Sequence, residues 1–138
     1  MSDAEKHLLD AAVSIRAFAY APYSNFAVGA AIIDEAGRIH AGCNVENAAF
    51  PQGQCAEANA IGVMIAAGAK RITAIAIAGP DGAPCPPCGG CRQRIREFGA
   101  PDTPILLCDA NGLLARHTLR ELLPHSFGPD ALADHPRF

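Results

Sequence analysis

Residues 55–99, CAEANAIGVMIAAGAKRITAIAIAGPDGAPCPPCGGCRQRIREFG, decide how this chain folds. Cys55 stands where an apolar periodic run begins, through Ala56, Ala60, Ile61, Met64 and Ile65, which predicts a helix ending near Gly68. Ile72 to Ala78 is a short apolar segment between breakers, the pattern of a buried strand. Gly79-Pro80-Asp81-Gly82 predicts a turn, Ala83 to Pro87 a stiff extended approach, and Gly89 to Phe98 a further helix.

Working outward, residues 4 to 20 place Leu8, Leu9, Ala12, Ile15 and Ala19 on one helical stripe that Pro22 closes. Residues 26 to 34 and 38 to 43 read as a hairpin about Gly37, and residues 44 to 54 as a loop. After the break at Pro101 to Pro104, Ile105 to Cys108 and Leu113 to His117 read as strands about the Asp109-Ala110-Asn111-Gly112 turn. Thr118 to Leu123 follow as a short helix. The expected fold is α/β, a three-layer α/β/α sandwich in which helices cover both faces of a mixed five-stranded sheet. With 138 residues the chain is expected to be one domain over 1–138, with a mobile tail from about residue 130.

The same stretch carries the chemistry. Cys88 and Cys91 are three apart and face one way on the first turn of their helix, and Cys55 opens another helix. Helix N-termini favour thiolates, which bind zinc near neutral pH. Three cysteine ligands leave one zinc position for water, and Glu57 beside them suits proton transfer better than ligation, so the pattern points to hydrolysis. Spacing alone also allows Cys85, in Cys85-Pro86-Pro87-Cys88, as a fourth ligand that would close the site. Cys43 and Cys108 read as small buried hydrophobes. His7, His40, His117, His125 and His135 show no ligand spacing and read as surface or structural residues.

Bulk properties narrow the partners. No stretch approaches the roughly eighteen apolar residues of a membrane span, and Met1 to Lys6 lacks the order of an export signal. A cytoplasmic protein is expected, and its six cysteines read as metal ligands and thiols, not disulfides. The net charge of −3 argues against a polynucleotide partner, because Arg92, Arg94 and Arg96 form the one dense basic stretch and Arg94 and Arg96 read as a solvated helix face.

Cys55-Ala56-Glu57 followed by Pro87-Cys88-Gly89-Gly90-Cys91 resembles the small three-cysteine zinc cytidine deaminases. Tyr23 to Ala31, Asn44-Val45-Glu46-Asn47-Ala48, Cys91-Arg92-Gln93, Leu122-Leu123-Pro124 and Phe127-Gly128-Pro129 match family segments in family order. The resemblance implies one Zn²⁺ per subunit on Cys55, Cys88 and Cys91, with Cys85 apart from it. It implies Glu57 as the proton carrier in converting cytidine and deoxycytidine to their uridine counterparts, in pyrimidine salvage. It further implies that Asn44 and Glu46 bind the ribose hydroxyls, that Phe26 packs on base or sugar, and that the Ala56 amide binds the base 2-carbonyl. A homotetramer follows in the same way, with Phe50 and Phe127 helping to complete neighbouring sites.

One departure stands out. In the family Cys-Ala-Glu is commonly followed by Arg, which offsets thiolate charge, and here the position is Ala58. Compensation is expected from the helix ends, from Arg92, or from Gln93. Two rival readings are deamination of another amino-heterocycle, such as a modified nucleoside or nucleoside antibiotic, and a non-catalytic zinc-stabilised binding module.

Overall fold

The structure, a computed structural model, describes residues 1–133. Helix α1 spans Asp3–Arg16 and begins earlier than its apolar stripe suggests, because Ser2 and Glu5 form a reciprocal capping box. It also ends before residue 20. Phe18 and Ala19 close tight turns onto the carbonyls of Ile15 and Arg16, and Tyr20 then pairs with Val45. A tertiary pairing, not Pro22, sets the end of the helix.

Strands β1 (Gly29–Asp34) and β2 (Ile39–Cys43) form the expected hairpin, with Gly37 at φ 83° in its turn. Helix α2 (Ala56–Ala66), strand β3 (Ile72–Ala78) and helix α3 (Gly89–Phe98) follow the reading of residues 55–99 closely. Strands β4 (Pro104–Asp109) and β5 (Gly112–Thr118) and the short helix α4 (Leu119–Leu122) complete the main elements. The sheet order is β2-β1-β3-β4-β5, mixed, with β3 and β4 parallel and the other neighbours antiparallel.

The alternation in β3 explains the layers. Its isoleucines face one side, where Ile75 and Ile77 join Ile32, Ile105 and Leu107 beneath Ala60 and Met64 of α2 and Ile95 of α3. Its alanines face the other, where Ala74, Ala76 and Ala78 meet Leu8, Leu9 and Ala12 of α1. Asp34 and His40 are also buried, joined Oδ2 to Nε2 at 2.7 Å, which makes His40 structural as expected.

Some details depart from expectation. Cys108 is buried and its thiol donates to the Ile77 carbonyl, but Cys43 is only half-buried. Burial pushes the Cys108 thiol up to about 11. The expected mobile tail starts out tied to α3: Pro129–Leu132 form a 3₁₀ turn, and Arg96 donates to Asp130 at 2.7 Å. The remainder of the tail, 134–138, including His135, lies outside the described residues.

Topology brings two helix starts together. Helix α2 leads back into the start of β3, and α3 leaves its far end, so both N-termini lie at the carboxyl end of β3. In an open α/β sheet that is the side on which ligands bind.

Candidate metal and substrate site

Cys55 is the N-cap of α2 and Cys88 the N-cap of α3, both with extended backbone, and Cys91 lies on the first turn of α3. Their sulfurs all lie within 4.8 Å of one another. A tetrahedral zinc with Zn–S bonds of about 2.3 Å holds its sulfurs roughly 3.8 Å apart, so three soft donors on this scale fit that ion. Among the described residues no histidine or carboxylate belongs to the group, and Cys85 stands outside it. The Cys85 side chain instead packs on Gly79, where an added Cβ would lie 3.3 Å from its sulfur.

Two of the three thiols depart from the expectation that helix starts favour thiolates, because burial outweighs the helix ends. Burial, followed by the charges of Glu57 and Cys55, pushes Cys91 far above the usual thiol value, and burial also raises Cys55. Cys88 is held below its ordinary value, first by the backbone amide of Cys91. A divalent ion reverses this balance, since a coordinating thiol is deprotonated outright.

Glu57 follows Cys55 by two positions in the first turn of α2 and is only 5% exposed. Burial raises its carboxyl above the ordinary value, opposed by its own backbone amide, by the charge of Arg94 and by Cys91. A buried carboxyl beside three sulfurs can take up and give back a proton. The preceding residue, Ala56, is fully buried at the start of the same helix.

Asn44 and Glu46 flank Val45, whose backbone pairs with Tyr20 on one side and Gln54 on the other. Gln54 immediately precedes Cys55, so this ladder ties both polar residues to the segment that enters the cysteine cluster. Their side chains turn to one segment. Asn44 Oδ1 accepts from the Val28 amide at 2.9 Å and Nδ2 donates to the Phe26 carbonyl at 2.8 Å. Glu46 Oε1 accepts from the amides of Tyr23 and Ser24 at 2.9 and 3.1 Å, and Oε2 from the Ser24 hydroxyl. These bonds, that of the Ser24 hydroxyl first, hold the Glu46 carboxyl below its ordinary value. Asn44 retains one N–H and one lone pair, and Glu46 a lone pair on Oε2, groups able to hold a diol.

A cleft of about 330 Å³ opens beside them, lined by Tyr23, Ser24, Glu46, Asn47, Phe50 and Gly53. Phe50 meets Tyr23 edge-on at 5.7 Å and is 73% exposed. Phe26 is 45% exposed and Phe127 61% exposed, and the Phe127 carbonyl accepts from Gln93 Nε2. Glu46 and Phe50 therefore share a cleft, whereas Phe127 is held on α3 by its backbone.

The arginines of α3 correct the sequence reading. Arg92 donates to the carbonyls of Pro87 and Leu122, both at 2.8 Å, and Gln93 is turned to Phe127, so neither addresses a sulfur. Arg96 is not on a solvated face: its side chain is 13% exposed and binds Ser126 and Asp130. Arg94 is exposed, as the reading has it, and from that face directs NH1 to Cys91 Sγ at 3.6 Å. Its place three residues after Cys91 was the signal available in the sequence.

A family model described as the cytidine and deoxycytidylate deaminase zinc-binding region matches residues 2–107. A cytidine deaminase from Sporosarcina psychrophila is 38% identical over 131 residues, covering 95% of this chain and 96% of that protein. The crystal structure of cytidine deaminase from Burkholderia pseudomallei is similar with a TM-score of 0.84 at 40% identity, covering 92% of this chain and 100% of that one. For the Mycobacterium tuberculosis cytidine deaminase structure the TM-score is 0.79 at 36% identity, covering 93% of this chain and 99% of that one.

Proposed function

Because this chain belongs to the cytidine and deoxycytidylate deaminase family, we propose that it hydrolyses cytidine and 2′-deoxycytidine to uridine and 2′-deoxyuridine with release of ammonia. The observation that carries this reading is the buried Glu57 carboxyl placed beside the cluster of Cys55, Cys88 and Cys91.

Those three cysteines would hold one zinc ion per subunit. When bound, zinc acts as a Lewis acid that makes water nucleophilic near neutral pH. Glu57 takes a proton from the attacking water and gives it to ring nitrogen N3 as oxygen bonds to C4. It then carries a second proton to the departing amino group, so the C4–N bond breaks with ammonia as leaving group. Glu57 suits both transfers because it is buried beside the cysteine cluster, where burial raises its carboxyl above the ordinary value. Asn44 and Glu46 hold the sugar hydroxyls through their remaining hydrogen-bonding positions, Phe26 packs on the nucleoside, and the Ala56 amide receives the 2-carbonyl. Phe50 and Phe127, both exposed in the monomer, help complete sites across a homotetramer. A cytoplasmic place in pyrimidine salvage fits a free nucleoside substrate, and no helix among the described residues is long and apolar enough to cross a membrane.

The test is the loss of cytosine absorbance when cytidine or deoxycytidine is added to zinc-loaded protein. Removing the proton shuttle with Glu57→Gln is expected to lower turnover by about 10² to 10⁴ while zinc and fold are kept. A zinc-loaded Glu57→Gln enzyme keeping more than a tenth of the parental rate would reject the role. Silence toward cytidine with turnover of another amino-heterocycle would reject the substrate.

A further inference from the structure

Three thiolates around a divalent cation leave the assembled site with one net negative charge, and Cys91 carries its share in a fully buried position. Charge held away from water is costly unless a neighbour compensates it. The helix starts contribute partial charges, but a full counter-charge needs a cation within reach. Arg92 is engaged by two carbonyls and Arg96 by Ser126 and Asp130. Arg94 is differently placed. Although the residue is exposed, its NH1 lies 3.6 Å from Cys91 Sγ; among the described residues no carboxylate lies within 4.0 Å of it, and its charge also acts on Glu57.

Two small residues make room for this arrangement. A Cβ at Gly90 would come within 3.3 Å of Arg94 NH1, tighter than ordinary contact. Across the groove between α2 and α3, Ala58 lines the same surface depression as Arg94, together with Ile61, Gly62 and Glu97. The small Ala58 side chain leaves that depression open on the α2 side. Arginine suits the task because its charge is permanent and its planar head offers donors in a fixed fork.

We propose that Arg94 is the counter-cation of the cysteine cluster, reaching across the groove from α3 to neutralise the excess thiolate charge that Ala58 on α2 leaves uncompensated. It is a positioning residue: it acts through Cys91 on the affinity and charge of the metal site, and touches no substrate atom. The inference rests on the zinc reading above.

The experiment compares the parent with Arg94→Gln, Arg94→Lys and the double variant Ala58→Arg/Arg94→Gln. Zinc affinity is measured by competition with a chromophoric chelator, and the thiolate-to-metal charge-transfer band is recorded after cobalt loading. Arg94→Gln is expected to weaken zinc binding by about tenfold or more, the usual scale for losing a group that supports a ligand, and to shift the cobalt band. Arg94→Lys and the double variant are expected to recover most of the affinity, since each returns a positive charge to the groove. Metal-free melting temperatures should coincide across the set. Arg94→Gln protein that binds zinc as tightly as the parent with an unchanged cobalt spectrum would overturn the proposal. So would equal losses in all three variants, which would mark a packing role. A parent that takes up no zinc would overturn the metal reading itself, a distinguishable failure.

Discussion

Replacing Gly42 by alanine is expected to damage both stability and turnover from a position that touches no reacting group. Gly42 lies on β2, on the face that α2 covers. A Cβ there would stand 2.8 Å from the Asn59 carbonyl carbon and 3.0 Å from the Ala56 carbonyl oxygen, and closer still to the Ala60 amide nitrogen. Ordinary contact begins near 3.5 Å, so the methyl group displaces the first turns of α2 by roughly 1 Å. These are helix backbone atoms, which cannot rotate aside. Overpacking of this kind costs about 1–3 kcal/mol. For a chain of this length that corresponds to a fall of roughly 3–10 °C in melting temperature. The displaced turns carry Cys55 and Glu57, and an error of about 1 Å in placing a reacting group can cost on the order of 10² in rate. The assay pairs calorimetry with cytosine absorbance under saturating zinc, and uses Gly62→Ala as a control on the same helix. Nothing lies within 4 Å of a Cβ at Gly62, so that change should stabilise by about 1 kcal/mol through helix propensity. A Gly42→Ala protein that melts with the parent and turns over at its rate would refute the claim that close approach of β2 and α2 positions the site.

Glu46→Gln is expected to raise KM for cytidine by roughly ten- to a hundredfold, the scale of a charge-assisted hydrogen bond, with zinc content unchanged; an unaltered KM in initial-rate measurements would remove Glu46 from sugar binding. Asp34 is held well below the usual carboxylate range, first by the His40 hydrogen bond, opposed by burial and helped by the amides of Arg38 and Ala36 and the Arg38 charge. A depressed carboxylate gives stability that is full above its unfolded value of about 3.9 and is lost as pH falls toward the folded one. Melting curves across that acid window should therefore fall less steeply for Asp34→Asn than for the parent, and parallel curves would refute this. Stripping metal with a strong chelator should abolish turnover and lower the melting temperature, and zinc should restore both, because a ligand bound only by the native state stabilises it by mass action.

Local pattern made much of the fold legible. The alternation of Ile72 to Ala78, the breakers at Gly79 to Gly82, and the two cysteine-led helices each follow from side-chain periodicity and turn chemistry, which act over a few residues. The end of α1 was not legible, because Tyr20 leaves the helix to pair with Val45, a partner 25 positions away. The polar network around Asp34 and His40 was missed for a related reason, since burial of a polar pair depends on what packs over it.

The sequence by itself determined the candidate donors, Cys55, Cys85, Cys88 and Cys91 with Glu57 beside them, since that chemistry belongs to residue type and local backbone. Only the tertiary structure decided what surrounds them. It turned Cys85 toward Gly79, engaged Arg92 and Gln93 with carbonyls of a distant segment, and brought Arg94 to Cys91. The physical reason is that a long side chain chooses its partner by the distance and angle between packed elements, and the spacing of α2, α3 and the sheet is set by the whole core.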